Sequence, residues 1–270
     1  MTTGGGPHGS PLFVCANPAI DSTLTTLGAT MIGRTMRWIA GTVLALGAIP
    51  ASASERSWHL GSAERLQVEA PLAVTVTTGA GNAVRATADD PRVLDGLEVT
   101  VNAGTLLIRL AGNAVRPATS LRGVVTVAVP RLRSVALFAD APVTVAGMRG
   151  DRVMLTVTGK GALTVTALDT PQLVATLIGA GSMSLSGRAA EVRLAASGIG
   201  SQAGTVDAAG LVADRLVIQA GDAARVRGAA RSMATVRASA GSVVDVAGNP
   251  ACTVRSSADS QVRCAGAAAR

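Results

Sequence analysis

Residues 153–165 read VMLTVTGKGALTV, and similar stretches recur at 173–187 (LVATLIGAGSMSLSG) and 234–248 (ATVRASAGSVVDVAG). Each stretch has apolar residues at every second position, followed by a small-x-small bend and a second alternating run. The first residue of this bend recurs at intervals of 18 to 22 residues, at Ala139, Gly159, Gly179, Gly198, Ala220, Ala240 and Ala258. Such a period predicts a repeat architecture with a unit of about 20 residues.

The positions that flank each bend predict strands. Residues two and four places before the bend, such as Val157 and Leu155, are mostly aliphatic, as are those four and six places after it. Alternation with period two is typical of half-buried strands. A single unit cannot bury its apolar side, whereas stacked units can. The sequence therefore predicts an all-β fold with a parallel β-solenoid over 135–266, and an antiparallel sandwich or barrel is the competing interpretation.

One copy departs from this pattern. Counting from Gly198 places Gln202 and Gly204 at core positions, and the next interval stretches to 22 residues. Neither side chain fills an aliphatic core. We therefore expect this coil to be bulged or loosely packed.

Three of the bends have the form Gly-x-Gly, at Gly159/Gly161, Gly179/Gly181 and Gly198/Gly200. With the alternation around them and the closing Cys-Ala-Gly, they resemble the bacterial auto-transporter adhesin "head GIN" domain, a domain of unknown function. The resemblance covers roughly Glu64 to Gly266 and implies a right-handed parallel β-helix with an adhesin-like role. It offers no catalytic residues. The chain departs from the family pattern in its last three coils, where alanine replaces the first glycine.

A secretion signal is predicted over 31–53. Arg34 and Arg37 precede an apolar run at 38–49, and Ala51-Ser52-Ala53 has the small-x-small form of a cleavage site. The run is shorter than the ~20 residues that span a bilayer, so we expect cleavage after Ala53 and no transmembrane segment in the mature chain. An exported bacterial protein follows, either periplasmic, associated with the outer envelope or secreted.

The residues around this signal have less definite assignments. Residues 1–30 are Gly/Pro-rich and fit neither a domain nor a leader. They are either a disordered tail or the product of a wrongly assigned start, the alternatives to Met1 being Met31 and Met36. Cleavage would change the net charge from +7, with 24 basic and 17 acidic residues, to +6, with 22 and 16.

After the signal, we expect a linker at 54–63 that contains an exposed His59, the last histidine of the sequence. Residues 64–134 show looser strand spacing and are predicted to form an N-terminal β cap, with a hairpin around 102–104. Residues 267–270 are a tail.

The sequence offers no catalytic, metal or cofactor site. A glycosidase needs two carboxylates at a set separation. Asp140 and Asp259 share a bend position, but they lie six coils apart, on the order of 29 Å at ~4.8 Å per strand. The Gly-x-Gly bends are followed by strands rather than by the helix of a dinucleotide fingerprint. We therefore predict a non-enzymatic surface module. A carbohydrate-active β-helix enzyme, either a polysaccharide lyase or a glycosidase, is the alternative.

Arginines concentrate at outward positions of the last four coils. Arg193 and Arg215 are predicted to share one outward column, and Arg237 and Arg255 another. Two interpretations stand side by side: a solvated protein face, or a patch that binds an anionic envelope polymer or glycan. Nucleic acid is not expected, because stacking aromatic residues are missing. The patch would contain Arg215, Arg225, Arg227, Arg237, Arg255 and Arg263.

Cys252 and Cys264 remain after signal cleavage, six residues before and after the last bend. A flattened coil would bring their Cα atoms within ~7 Å, whereas a triangular coil would not. A disulfide and two buried thiols are both open from the sequence, and so is the oligomeric state.

The signal predicts the N-terminus of the mature protein. We expect protein recovered from outside the cytoplasm to begin at Ser54, because processing follows the small-x-small site. N-terminal sequencing of that material is the measurement, with unprocessed cytoplasmic protein as the control. An exported chain that begins at Met1 or Thr2 would contradict the assignment.

Overall fold

The computed structural model describes residues 54–79, 81–111 and 122–265. The predicted signal at 31–53 and the predicted tails at 1–30 and 267–270 lie outside these residues. The described residues are nearly all-β, with 71% strand and 2% helix, and their parallel coils stack into a β-solenoid of about seven turns. The predicted fold class is confirmed, and the sandwich or barrel interpretation is wrong.

In the described part of the chain, the elements follow in this order: β1 (Ser54–His59), β2 (Arg65–Val68), β3 (Ala73–Thr78), β4 (Ala83–Ala88), α1 (Pro91–Asp95), β5 (Leu97–Asn102), β6 (Thr105–Leu110), β7 (Gly123–Val129), β8 (Ser134–Leu137), β9 (Pro142–Arg149), β10 (Arg152–Thr158), β11 (Ala162–Ile178), β12 (Ser182–Ser197), β13 (Thr205–Gly221), β14 (Arg225–Ala238), β15 (Val243–Gly248), β16 (Ala251–Ser256) and β17 (Gln261–Cys264). No helix in this part of the chain has the length and apolar character that a membrane crossing requires.

Two stacks of parallel strands run along the solenoid, one on each side of the bend. The pre-bend sheet contains, in order, β6, β2, β8, β10, the C-terminal halves of β11 to β14, and β16. The post-bend sheet contains β7, β3, β9, the N-terminal halves of β11 to β14, β15 and β17. The long strands β11 to β14 belong to both sheets, because each continues around the far side of the coil.

The apolar residues at alternate positions of the sequence form the core of each coil. In β11, Leu163, Val165, Leu173 and Leu177 are all at most 1% exposed. Two consecutive exposed residues interrupt the alternation at 166–167 and again at 171–172. Each interruption reverses the phase of the period-two pattern and marks a corner. With the bend, each regular coil therefore has three corners and a short third side.

The close approach of successive coils explains why the residues at the bends are small. Ser182 N donates to Gly161 O and Thr205 N to Gly181 O, both at 3.0 Å, so successive coils bond directly at this corner. A Cβ on Gly181 would lie 2.6 Å from Gly161 O, closer than the two atoms can approach. Gly179, the first glycine of the same bend, has φ of +122°, a conformation that side chains disfavour.

In the coil at Gly198, the structure shows a different strand register from the one that the sequence predicts. The structure pairs Val206 with Met183, so Val206 occupies the core position assigned to Gln202, which is exposed. Gly204, and not Gly200, stacks on Gly181 at the bend. Four extra residues form a loop that closes with a bridge between Ile199 and Gln202. The core of this coil is therefore packed. Its four extra residues lie at the bend, and further register shifts fall at the next corner of β13, after Ala208.

This loop also shifts the pre-bend alignment by two residues. Leu194 pairs with Ile218 rather than with Leu216, and Ala220 pairs with Ala196 inside the strand. Ala220 is therefore not a bend residue. Asp222, with φ of +51°, follows the strand at the bend instead.

The N-terminal coils are not in chain order. The β2–β3 coil lies between the β6–β7 coil and the β8–β9 coil. Antiparallel strands add to this end, with β5 beside β6, β4 beside β7 and β1 beside β4. Residues 64–134 thus hold two parallel coils as well as antiparallel strands, and 54–59, within the predicted linker, form β1. The β5–β6 hairpin at 102–104 is confirmed, with positive φ at Ala103 and Gly104.

The period-two register predicts how two neighbouring positions respond to charge. Leu177→Asp should unfold the coils, because Leu177 is 1% exposed and an unpaired buried carboxylate costs several kcal/mol. The whole domain is held by only ~5–15 kcal/mol. Thr176→Asp, at the half-buried outward neighbour, should retain the fold. The measurement is thermal unfolding followed by circular dichroism, and equal melting temperatures would contradict the register.

Candidate binding surface

The six arginines of the predicted patch are all exposed, and they divide between the two sheets. The pre-bend sheet carries Arg215, Arg237 and Arg255, and the post-bend sheet carries Arg225, Arg227 and Arg263. The two groups therefore lie on two sides of the coil that meet at the bend.

On the pre-bend sheet, Arg237 and Arg255 are direct neighbours in adjacent coils, as predicted. Gln219 precedes them in the same column. The predicted column of Arg193 and Arg215 is wrong: Arg215 pairs with Glu191, and Arg193 pairs with Val217. The cause is the register of β13, whose pre-bend half lies two residues away from the sequence alignment, whereas β14 and β16 keep the predicted register. Arg193 instead pairs with Glu191 of its own strand, at 2.8 Å.

On the post-bend sheet, charges alternate in sign from coil to coil. One outward column contains Asp207, Arg227, Asp245 and Arg263 in successive coils. Opposite charges at adjacent strand positions attract and offset each other. Arg225 stands in the next column, beside Thr205 and Val243. The pre-bend column of Arg237 and Arg255 is thus the least neutralised basic feature of these coils.

A shallow groove of about 410 Å³ borders this column on the outward face near the bend. Small residues form its floor, among them Ala195, Ser197 and Gly221, while Ile178 and Arg237 also line it. Ile178 is 46% exposed. The groove offers one apolar side chain and one guanidinium group across a strip of sheet with few large side chains, which suits a shallow contact with an extended ligand.

The carboxylates of the bends have structural roles. Asp140 accepts a hydrogen bond from Lys160 N at 3.0 Å, which ties two successive bends together. At the last bend, the Ser257 hydroxyl donates to Asp259 and lowers the pKa of this fully exposed carboxyl. Within the described residues, no group of three His, Cys, Asp or Glu side chains is placed to hold a metal ion. His59 is exposed on β1.

Two other carboxylates share a cavity. Asp169 and Asp214 line a recess of about 340 Å³ at the corner between the post-bend and pre-bend sheets, together with Arg188 and Arg231. Asp169 lies 4.0 Å from Arg149 and 3.9 Å from Arg188. This recess is the place that a carbohydrate-active enzyme would have to use.

Cys252 and Cys264 form a disulfide between β16 and β17, with 6.8 Å between their Cα atoms. The distance lies within the ~7 Å that a disulfide requires, so the two strands of this coil are close at the ends that lie away from the bend. Both cysteines are half-buried against the core, as are Val254 and Val262 of the same coil.

The sequence of this chain matches that of a known family. Residues 64–250 match the family described as "Putative auto-transporter adhesin, head GIN domain". No protein of curated function matches the chain.

Several solved structures share the fold. A "putative adhesin" from Bacteroides fragilis superimposes with a TM-score of 0.67 at 16% identity, covering 78% of this chain and 96% of that one. A "putative lipid binding protein" from Parabacteroides distasonis gives 0.59 at 11% identity, covering 79% and 98%. A "putative adhesin" from Parabacteroides merdae gives 0.58 at 12% identity, covering 79% and 96%. At these identities the likeness shows the fold alone.

The disulfide predicts how the last coil responds to reduction. Replacing both cysteines, as Cys252→Ser/Cys264→Ser, should lower the free energy of unfolding by about 3 kcal/mol, the value for a crosslink that closes a loop of this size. Urea unfolding with and without reductant is the measurement. Reductant should destabilise the parent and leave the double variant unchanged. If reductant leaves the parent unchanged, the cysteines are free thiols in solution.

Proposed function

Because this chain belongs to the auto-transporter adhesin head GIN domain family, we propose that it acts outside the cytoplasm as a non-enzymatic, adhesin-like binding module. The family membership and the shared fold support a surface role. The observation that carries the proposal is the adjacent pair Arg237 and Arg255, exposed on a regular sheet beside a shallow groove. A stack of parallel strands presents such groups at a fixed spacing of ~4.8 Å.

The ligand that fits this surface is an anionic polymer or glycan of the cell envelope. Attraction between single exposed charges is weak, and at physiological salt it fades beyond a Debye length of ~8 Å. Useful affinity therefore needs several arginines acting together on a ligand with repeated negative groups. The pre-bend arginines supply the adjacent pair, and Arg225 adds charge across the bend. Binding of this kind depends on salt and tolerates variation in ligand sequence.

The carbohydrate-active enzyme is the second candidate, and the recess with Asp169 and Asp214 is the observation in its favour. Two carboxylates in one cavity are the minimum for glycoside hydrolysis. Incubation with a panel of anionic polysaccharides, followed by assay of new reducing ends and of unsaturated products, separates the two functions. Product formation that is lost in Asp169→Asn/Asp214→Asn would overturn the non-enzymatic proposal.

The binding proposal predicts the behaviour of a triple variant, Arg225→Ser/Arg237→Ser/Arg255→Ser. All three side chains are exposed, so the melting temperature should stay close to that of the parent. Retention on an anionic polysaccharide column at low salt should fall strongly, because the adjacent pair is removed together with its nearest support across the bend. Elution of the parent should move to much shorter times as salt is added.

The matched control removes the same charge elsewhere. Arg85→Ser/Arg92→Ser/Arg109→Ser changes three exposed arginines of the N-terminal strands and helix. It should elute close to the parent, since the net charge lost is equal but the C-terminal coils are intact. If the two triple variants elute together, the arginines form only a solvated face and the binding proposal fails.

A further inference from the structure

A second region of the solenoid, away from Arg237 and Arg255, has a feature that the proposed binding surface does not explain. The segment 130–133 connects β7 to β8, and these strands belong to coils on opposite sides of the β2–β3 coil. The connection therefore crosses one whole coil on the outside of the stack. Arg133 N and Ser134 N both donate to Glu64 O, at 2.8 and 3.3 Å, which fixes the end of the crossing to the start of β2.

This crossing forms one wall of a cleft of about 700 Å³, whose other wall is the end of β9 and the turn that follows it, at 146–151. Three arginines and a single carboxylate line the cleft: Arg131, Arg133, Arg149 and Asp151. The volume falls within the range of small-molecule sites, roughly 300–1,000 Å³. Its charged lining is predominantly basic.

The backbone of the cleft is unusual in three successive coils. Gly79, Gly147 and Ala167 line it, and all three have positive φ, of 96°, 79° and 53°. Ala167 adopts this conformation although it has a Cβ, which the left-handed region disfavours. It lies in a register shift, so Thr166 and Ala167 have no partner in β12. Such strained positions persist where the surrounding structure imposes them, and they cluster at functional sites.

The ion pairs around the cleft do not neutralise all of the arginines that line it. Arg133 lies 3.3 Å from Glu64, which is outside the cleft lining. Arg149 lies 4.0 Å from Asp169, a carboxylate that it shares with Arg188. Among the described residues, Arg131 has no carboxylate within 4.0 Å. At least one guanidinium group thus faces no protein anion.

We propose that this cleft binds a single sugar unit or short oligosaccharide that bears an oxyanion, either a carboxylate or a phosphate. A guanidinium fork holds either group through two parallel hydrogen bonds. Pro130 and Ala146 also line the cleft and provide small apolar surfaces for the face of a sugar ring. The cleft lies in the N-terminal coils, away from Arg237 and Arg255. The proposal for the cleft does not depend on the function proposed for those two arginines.

The test measures binding of three probes by isothermal titration calorimetry. Trigalacturonate carries carboxylates, glucose 6-phosphate carries a phosphate, and galactotriose is the neutral control. We expect one or both charged probes to bind and galactotriose not to bind. Arg131→Gln/Arg149→Gln should weaken that binding by about tenfold or more, because two charge-assisted contacts are lost. The charged probe that binds identifies the source of the oxyanion.

Two further variants keep the outcome decisive. Arg85→Gln/Arg92→Gln removes the same charge from exposed positions outside the cleft and should bind within twofold of the parent. Ala146→Trp fills the cleft from an exposed position without changing charge, and it should also abolish binding. The proposal is overturned if neither charged probe binds, if galactotriose binds equally, or if Arg85→Gln/Arg92→Gln loses as much affinity as Arg131→Gln/Arg149→Gln. Unchanged melting temperatures verify that each variant is folded.

Discussion

The close approach of successive backbones at the bend is the constraint on which the solenoid depends. Each coil donates an N–H group to the carbonyl of a small residue in the coil before it, as Ser182 does to Gly161 and Arg225 to Gly204. A Cβ at Gly181 or Gly204 would lie 2.6 Å from a glycine carbonyl oxygen. Where alanine or serine occupies this position, as at Ala224 and Ser242, the same bond still forms. The bend therefore fixes the register of both sheets.

The fold could be predicted from the sequence because this corner leaves a visible period. Small residues recur at the bend, and the aliphatic positions around them follow from the pleat of a strand. The order of the first coils could not be predicted, since nothing in β2 or β6 indicates which coil lies outside the other. The bend of the Gly198 coil could not be located from the sequence, because Gly198 and Gly200 have the same spacing as a bend, while the residue that stacks on Gly181 is Gly204. Gly204 lies four residues after Gly200, and these four residues are an insertion.

At the candidate binding surface, a two-residue error in register changes the neighbours of each side chain but not its exposure. A shift of two residues preserves the facing of every side chain, because the strand period is two. All six arginines are accordingly exposed, as predicted. Their neighbours are different: Arg215 meets Glu191 rather than Arg193. The alternating column from Asp207 to Arg263 also depends on this register. Exposure could therefore be read from the sequence, whereas the charge pattern could not.

The two ends of the solenoid differ in how they protect their strand edges. At the N-terminal end, antiparallel strands and α1 cover the core with buried residues such as Val84 and Leu94. The last described coil has Val254 and Val262 only half-buried, and the disulfide joins its two strands. Edge strands invite pairing with other chains. Since Arg255 belongs to this terminal coil, the crosslink also holds in place half of the basic pair on which the proposed binding surface depends.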